Sequence, residues 1–281
     1  MLKLILMPTD GSLESARPLP LAAQVAAAHD AELRILQVIE PFGPLGAVPG
    51  DEWAGSAEAL NQIGDALQQQ AQRQVDALVA DARGMGARAT GVVLEGNAAA
   101  TLLDYTGSAQ ADLLVMATHG RSGLTRFALG SITDRLVREG TTPVLVTRQG
   151  QEVSGQLQRA LVMLDGSGLA EAALPLALTL AGKPLAHVTL FRVVADSADR
   201  APATTYLEGV AARFASHGVQ TALVVEVGDP RPTVERAAHA VDLVLLCTHG
   251  RSGFDRLRHG SVADYVIHTV ETPTLLVRAQ V

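Results

Sequence analysis

Residues 112–123 read "DLLVMATHGRSG", and 130 positions later residues 242–253 read "DLVLLCTHGRSG". Each copy starts on an acid, runs through five apolar residues and enters a loop with two glycines. An apolar run of this length without alternation is the pattern of a strand buried on both faces of a parallel sheet. The likeness extends well beyond the loop. Residues 118–148 and 248–278 agree at 14 of 31 positions, among them Arg126/Arg256, Gly130/Gly260, Ser131/Ser261, Asp134/Asp264 and Pro143/Pro273, so the unit is duplicated. The first strands match as well, "LILMPTDGSLESARPLPLA" against "ALVMLDGSGLAEAALPLAL", which pairs Asp10 with Asp165 at an offset of 155. The second copy is therefore shorter by 25 residues.

A period above 100 with two copies reads as tandem domains and argues against a solenoid. The length of 281 residues also exceeds that of most single cores. The domains are expected at 1–148 and 157–281, joined by the polar linker "QGQEVSGQ" at 149–156. In the first copy strands are expected at "KLILMP", "ELRILQVI", "ARATGVVLE", "DLLVMA" and "PVLVTR", with helices over Ser12–His29, Ser56–Arg83, Asn97–Ala109 and Thr133–Glu139. The second copy repeats the strands as "RALVMLD", "AHVTLFRVV", "QTALVVEV", "DLVLLCT" and "PTLLVR". Its missing residues fall after strand two, where the first copy has "PFGPLGAVPGDEW" and a long Gln-rich helix. The second has only "ADSADRAPATTY" and a short helix. The fold class is thus α/β: two doubly wound domains, each a five-stranded parallel sheet of Rossmann-like order 3-2-1-4-5 with helices on both faces.

In such sheets ligands sit beyond the carboxyl ends of the strands, where the winding reverses. The loops there are "PTDGS" after strand one and "THGRSG" after strand four. Gly120 and Gly123 allow close backbone approach, and Gly130-Ser131 opens the last helix, whose first N–H groups favour an anion. Gly120, Gly130 and Ser131 would supply N–H donors, Ser131 a hydroxyl, and Arg121 or Arg126 a positive charge. The same stretch also reads as an ordinary tight strand-to-helix connection, since two copies of one ancestor repeat structural needs as faithfully as functional ones. Asp10 and Asp165 divide in the same way: each fits a phosphate-side contact, and each fits a turn former or helix cap before Gly-Ser.

On these residues the chain resembles the universal stress protein family in its tandem form, over nearly its whole length. ATP-binding members of that family carry Gly, two residues, Gly, nine residues, Gly, then Ser or Thr. The first copy here reads Ala117, Thr-His, Gly120, nine residues, Gly130, Ser131; the second reads Cys247, Thr-His, Gly250, nine residues, Gly260, Ser261. Only the first glycine is replaced, by Ala or Cys. The resemblance implies an acidic contact near ribose and phosphates from Asp10 and Asp165, and a backbone contact to adenine from Val38 and Val193. It implies a first site of Pro8, Thr9, Asp10, Val38, Ala117, Gly120, Arg121, Gly130, Ser131 and Ile132. The second site would hold Leu164, Asp165, Val193, Cys247, Gly250, Arg251, Gly260, Ser261 and Val262, ranked below the first because "PT" becomes Met163-Leu164. It implies ATP as ligand, with magnesium arriving on the nucleotide, and a pseudo-dimer of the two domains through their fifth strands; a homodimer of the chain is compatible with this. The function expected is an ATP-binding stress-response module whose occupancy changes what an unidentified protein partner sees. A slow ATPase and a nucleotide-free interaction protein are the alternatives.

Composition narrows the field further. A balance of 22 Lys+Arg against 29 Asp+Glu disfavours a grip on nucleic acid or anionic lipid, and 3% aromatic residues provide few stacking platforms. One cysteine, Cys247, excludes an internal disulfide and fits a reducing, cytoplasmic setting; at the end of an apolar strand it reads as a small buried hydrophobe. No apolar run reaches the length of a membrane span, and Pro8 and Asp10 cut the N-terminal run to strand length. No histidine pair at i, i+4 and no HExxH occurs, so no dedicated metal site is expected, and His119 and His249 fit backbone hydrogen bonding in a Gly-rich loop. There is no Walker lysine motif, nucleophile elbow or correctly placed dinucleotide fingerprint. At most slow ATP turnover is expected, with no catalytic residue assigned.

Overall fold

The computed structural model describes residues 1–40, 53–118, 129–148, 156–248 and 261–279. The first half runs β1 (Leu4–Thr9), α1 (Leu13–Ala16), α2 (Leu19–His29), β2 (Glu32–Ile39), α3 (Trp53–Gly84), β3 (Arg88–Glu95), α4 (Ala98–Ser108), β4 (Leu113–Ala117), α5 (Ser131–Glu139) and β5 (Val144–Thr147). The second runs β6 (Arg159–Met163), a 3-10 turn (Ala170–Ala173), α6 (Leu174–Leu180), β7 (His187–Val194), α7 (Arg200–Ala211), β8 (Gln220–Val227), α8 (Pro230–Ala238), β9 (Leu243–Thr248), α9 (Ser261–Thr269) and β10 (Thr274–Arg278).

All ten strands fall within two residues of the ends read from the sequence. Two helical segments differ. The single helix expected over Ser12–His29 is broken, because Pro18 lacks the N–H an unbroken helix would need and instead caps α2, with Pro20 in its first turn. The connection "ADSADRAPATTY" is helical from Arg200 onward. Asp196 starts that turn by accepting from the Ala198 amide at 2.9 Å, and Pro202 lies in the first helical turn, where a missing donor costs nothing.

The strands form one sheet of order β3-β2-β1-β4-β5-β10-β9-β6-β7-β8. Each half thus has the order 3-2-1-4-5 and is parallel throughout. The halves join where β5 meets β10 antiparallel, with Leu145 opposite Leu275 and Val144 opposite Leu276. Alternate strand residues feed two cores, one on each face. Ile5, Met7, Leu33 and Ile35 pack on one side with α2 and α3, and Leu4, Leu6 and Leu36 on the other with α4 and α5; each core continues into the second half. The sheet-facing stripe of α3 is Ala71, Val75, Val79 and Ala82, while Gln68 to Gln70 face solvent. The acid that opens each repeated stretch fastens the first strand of its half. Asp112 Oδ2 accepts from the Lys3 and Leu4 amides, and Asp242 Oδ2 from those of Gln158 and Arg159.

Contacts across the join are polar as well as apolar. Arg148, following β5, donates to the Ile267 carbonyl of α9 at 2.7 Å, and Arg278, ending β10, donates to the Gly140 carbonyl after α5 at 3.2 Å. Each half therefore satisfies a carbonyl at the C-terminal end of the other half's last helix. Gln24 of α2 accepts from the Leu157 amide at 2.7 Å. His29, the last residue of α2, is buried, and its Nε2 has no partner among the described residues.

Burial pushes the His29 imidazole below its ordinary pKa. The nearby Lys183 backbone opposes this, and the Met1 and Lys183 ammonium groups add to the depression. The folded chain therefore binds this proton less readily than the unfolded one, which takes it up first as pH falls below about 6.5. Stability is expected to fall as pH drops from that value through the folded one. Urea midpoints at pH 7.5 and 5.5 should diverge more for the native chain than for His29→Leu; equal losses in both would refute this.

Candidate functional site

The winding reverses at β1, which has β2 on one side and β4 on the other. Ladder pairing between β1 and β4 covers Ile5 with Leu113 and Leu6 with Leu114. Beyond it Pro8 has no N–H to offer, and a cleft of about 220 Å³ opens between the carboxyl ends of the two strands. Its walls come from four places. β1 and the turn after it supply Pro8, Thr9, Asp10 and Ser15; β2 supplies Val38; α4 supplies Ala98 and Leu102; the end of β4 and the start of α5 supply Met116, Ala117, Thr118 and Gly130 through Thr133.

Of the ten residues expected at the first site, Pro8, Thr9, Asp10, Val38, Ala117, Gly130, Ser131 and Ile132 all line this one cleft. Gly120 and Arg121, with His119 and Arg126, lie outside the described residues. The expected role of Gly130 needs correction: its amide donates to the Thr118 carbonyl at 2.8 Å and is not a donor for a ligand. What Gly130 contributes is the absence of a side chain at the mouth of α5. The helix amides that start at Ser131 and Ile132 have no acceptor within the helix, and they carry the positive end of its dipole. Thr133 fixes this helix to the sheet, its Oγ1 lying 3.3 Å from the Ala117 carbonyl and 3.4 Å from that of Thr118.

The turn after β1 is held by side chains. Gly11 has φ +78, the left-handed region that a residue with a side chain rarely adopts, and Asp10 Oδ1 accepts from the Ser12 amide at 2.9 Å. Asp10 thus does act as a turn former, with its carboxylate at the cleft wall. Ser15, buried and facing the same cleft, belongs to this cluster and was not singled out from the sequence. The lining includes apolar side chains, Val38, Leu102, Met116 and Ile132, and polar groups, Asp10, Thr9, Ser131 and the N-terminus of α5. Such a mixture suits a ligand with a flat apolar body and an anionic tail.

The second half keeps the outline and changes the residues. Gly166 has φ +88, and Asp165 Oδ1 accepts from the Ser167 amide at 2.8 Å, but Leu164 is buried where the first half has Thr9. Val193 and Val262 pack at the edge of the core on the α8 and α9 side, while Cys247 packs against the opposite core. Burial raises the Cys247 pKa, so it stays a thiol. Arg192 lies under Gly166 and over the Tyr206 ring, 5.2 Å from its centroid. The Tyr206 hydroxyl donates to Glu171 at 3.1 Å, and burial followed by that carboxylate pushes its pKa up to about 12. Ser261 begins α9, and Gly250, Arg251, Gly260 and His249 lie outside the described residues. Among the described residues no cluster of His, Cys, Asp and Glu could hold a metal ion, and no helix is long and apolar enough to cross a membrane.

Comparison with known proteins agrees with the duplication. The profile of the universal stress protein family matches residues 1–148 and again 156–278. A universal stress protein of Mycolicibacterium smegmatis is 28% identical over 98% of this chain and 96% of its own length. One from Methanocaldococcus jannaschii is 31% identical over 52% of this chain and 82% of its own. The crystal structure of a universal stress protein from Archaeoglobus fulgidus superposes with a TM-score of 0.70 at 18% identity, covering 98% of both chains.

Proposed function

The chain belongs to the universal stress protein family, and from that premise we propose that its first half binds ATP in the cleft between β1 and β4. Nucleotide occupancy would then alter the surface offered to a protein partner. The observation that carries this reading is the gathering of eight expected residues, from four separate stretches of chain, around one cleft. In this pose the purine lies against Val38, Leu102 and Met116, and the ribose is held near Asp10. The phosphates reach the amides that open α5, where the helix dipole favours negative charge. Ser131 offers a hydroxyl suited to phosphate or to the water shell of magnesium carried by the nucleotide. The two domains are taken as 1–148 and 157–281. The second is the weaker site, since Leu164 removes the hydroxyl that Thr9 places in the first.

Calorimetric titration of nucleotide-stripped protein with Mg-ATP tests this. Binding in the micromolar range or tighter is expected, with about one nucleotide per chain. No heat, together with no nucleotide-dependent rise in Tm, would leave the cleft as architecture and favour an interaction protein that works without nucleotide.

A further inference from the structure

Ser15 sits at the centre of the turn that carries Asp10. Its Oγ lies 2.8 Å from Thr9 Oγ1 and 3.2 Å from the Asp10 amide, and it donates to the Ser12 carbonyl at 2.9 Å. Thr9 Oγ1 in turn accepts from the Gly11 amide at 3.0 Å. One arrangement of protons satisfies all four contacts: Ser15 donates to the Ser12 carbonyl and accepts from Thr9 and the Asp10 amide, while Thr9 accepts from Gly11. Ser15 and Thr9 are each less than a tenth exposed, so these bonds lie where water competes poorly. Ser12 completes the cluster by capping the Ser15 amide at 3.2 Å, and its hydroxyl lies 3.2 Å from Ser15 Oγ.

The second half provides an internal comparison. Its Asp165 and Ser167 keep the contact made by Asp10 and Ser12, and Ser167 Oγ still accepts from the Ala170 amide at 3.1 Å. The two hydroxyls of the latch are both gone there: Leu164 stands for Thr9 and Ala170 for Ser15. Asp165 is exposed, whereas Asp10 is partly buried against the cleft. The turn itself therefore forms without the hydroxyl pair. What the pair adds in the first half is a fixed orientation of the Asp10 and Gly11 peptides beside the cleft.

We infer that Ser15 and Thr9 form a buried hydroxyl latch that positions Asp10 for nucleotide, and that its absence from the second half sets the two sites apart. This rests on the nucleotide reading of the cleft. Neither need be a ligand contact for the latch to act; a peptide held in place before binding loses less freedom when the ligand arrives.

The test uses the full chain with Ser15→Ala, Thr9→Val, the double variant, and Thr9→Ser as the substitution that keeps the hydroxyl. Two quantities are read: amide hydrogen exchange at Asp10 and Gly11 without nucleotide, and Mg-ATP affinity by calorimetry, with Tm as the control for folding. Exchange should quicken in Ser15→Ala and Thr9→Val, and affinity should fall roughly 5- to 30-fold in each, with Tm lowered by no more than a few degrees. The double variant should be little worse than either single one, because both remove the same latch. Thr9→Ser should stay within about threefold of the native chain, since it restores the bond. Unchanged exchange in Ser15→Ala would overturn the latch. Faster exchange with native affinity, or losses that multiply in the double variant, would overturn its positioning role. If the native chain takes up no Mg-ATP while exchange still responds, the nucleotide reading fails and the pair is only a turn clasp.

Discussion

Gly130→Glu is expected to abolish Mg-ATP binding at the first site, a loss of at least about 100-fold, while Tm changes by no more than a few degrees. Gly130 has φ −56 and ψ 148, a conformation open to any residue, and its amide bond to the Thr118 carbonyl does not depend on its side chain. An acid at the start of a helix favours the helix, so the fold should accept the change. The added carboxylate would stand at the mouth of α5, on the cleft wall proposed to receive phosphate. It adds both bulk and like charge there, and it occupies the field that attracts the anion. Gly130→Ala adds bulk alone and should cost far less. Retained affinity and stoichiometry in a folded Gly130→Glu protein would refute the assignment of the cleft.

The second large effect is at the join of the sheet. Leu145 and Leu275 are both about fully buried and face one another across the antiparallel pair. Leu145→Ala or Leu275→Ala should each cost about 2–5 kcal/mol through lost burial and the cavity left behind. For a chain of this size that lowers Tm by roughly 5–15 °C. Because the two side chains touch one region of core, the double variant should depart from additivity. The cores run continuously from one half into the other, so denaturation should remain a single transition in which both halves melt together. Two separated transitions in the native chain would contradict that coupling.

Most of the fold was legible because its signal is hydrophobic periodicity. Continuous runs such as "LVLLC" and "LILMP" suit a strand covered on both faces, and the repeat marked the two like halves of the sheet. The break at Pro18 and the early start of α7 were harder. Each turns on whether a proline lies at a helix start, where it is tolerated, or inside one, where it is not, and the apolar pattern continues through both cases. Gly130 and Ser131 were legible through the spacing of Gly and Ser in the two copies, and Pro8, Thr9 and Asp10 through the loop after strand one, whereas Val38 was reached only through the family resemblance. The spent amide of Gly130 was not legible, because its partner, the Thr118 carbonyl, is brought to it only by the path of the chain between them. Ser15 escaped notice for a related reason: in "DGSLES" it looks like a surface residue of a helix start, and only the fold turns it inward to meet Thr9. The clasps from Asp112 to the first strand and from Arg278 to α5 depend on contacts more than 100 residues apart, and no local pattern announces them.

The antiparallel meeting of β5 and β10 also bears on how this protein responds to its own abundance. A sheet edge left open pairs with whatever edge it encounters, so two separate five-stranded units would assemble according to how many copies a cell holds. Tethered by a short segment, the two edges face an effective local concentration in the millimolar range, set by the tether and not by expression. The assembled state then forms equally at a few copies per cell or at thousands. Dilution cannot undo it, and one half is free to drift in sequence at the loops beyond its strands while still serving as the permanent neighbour of the other.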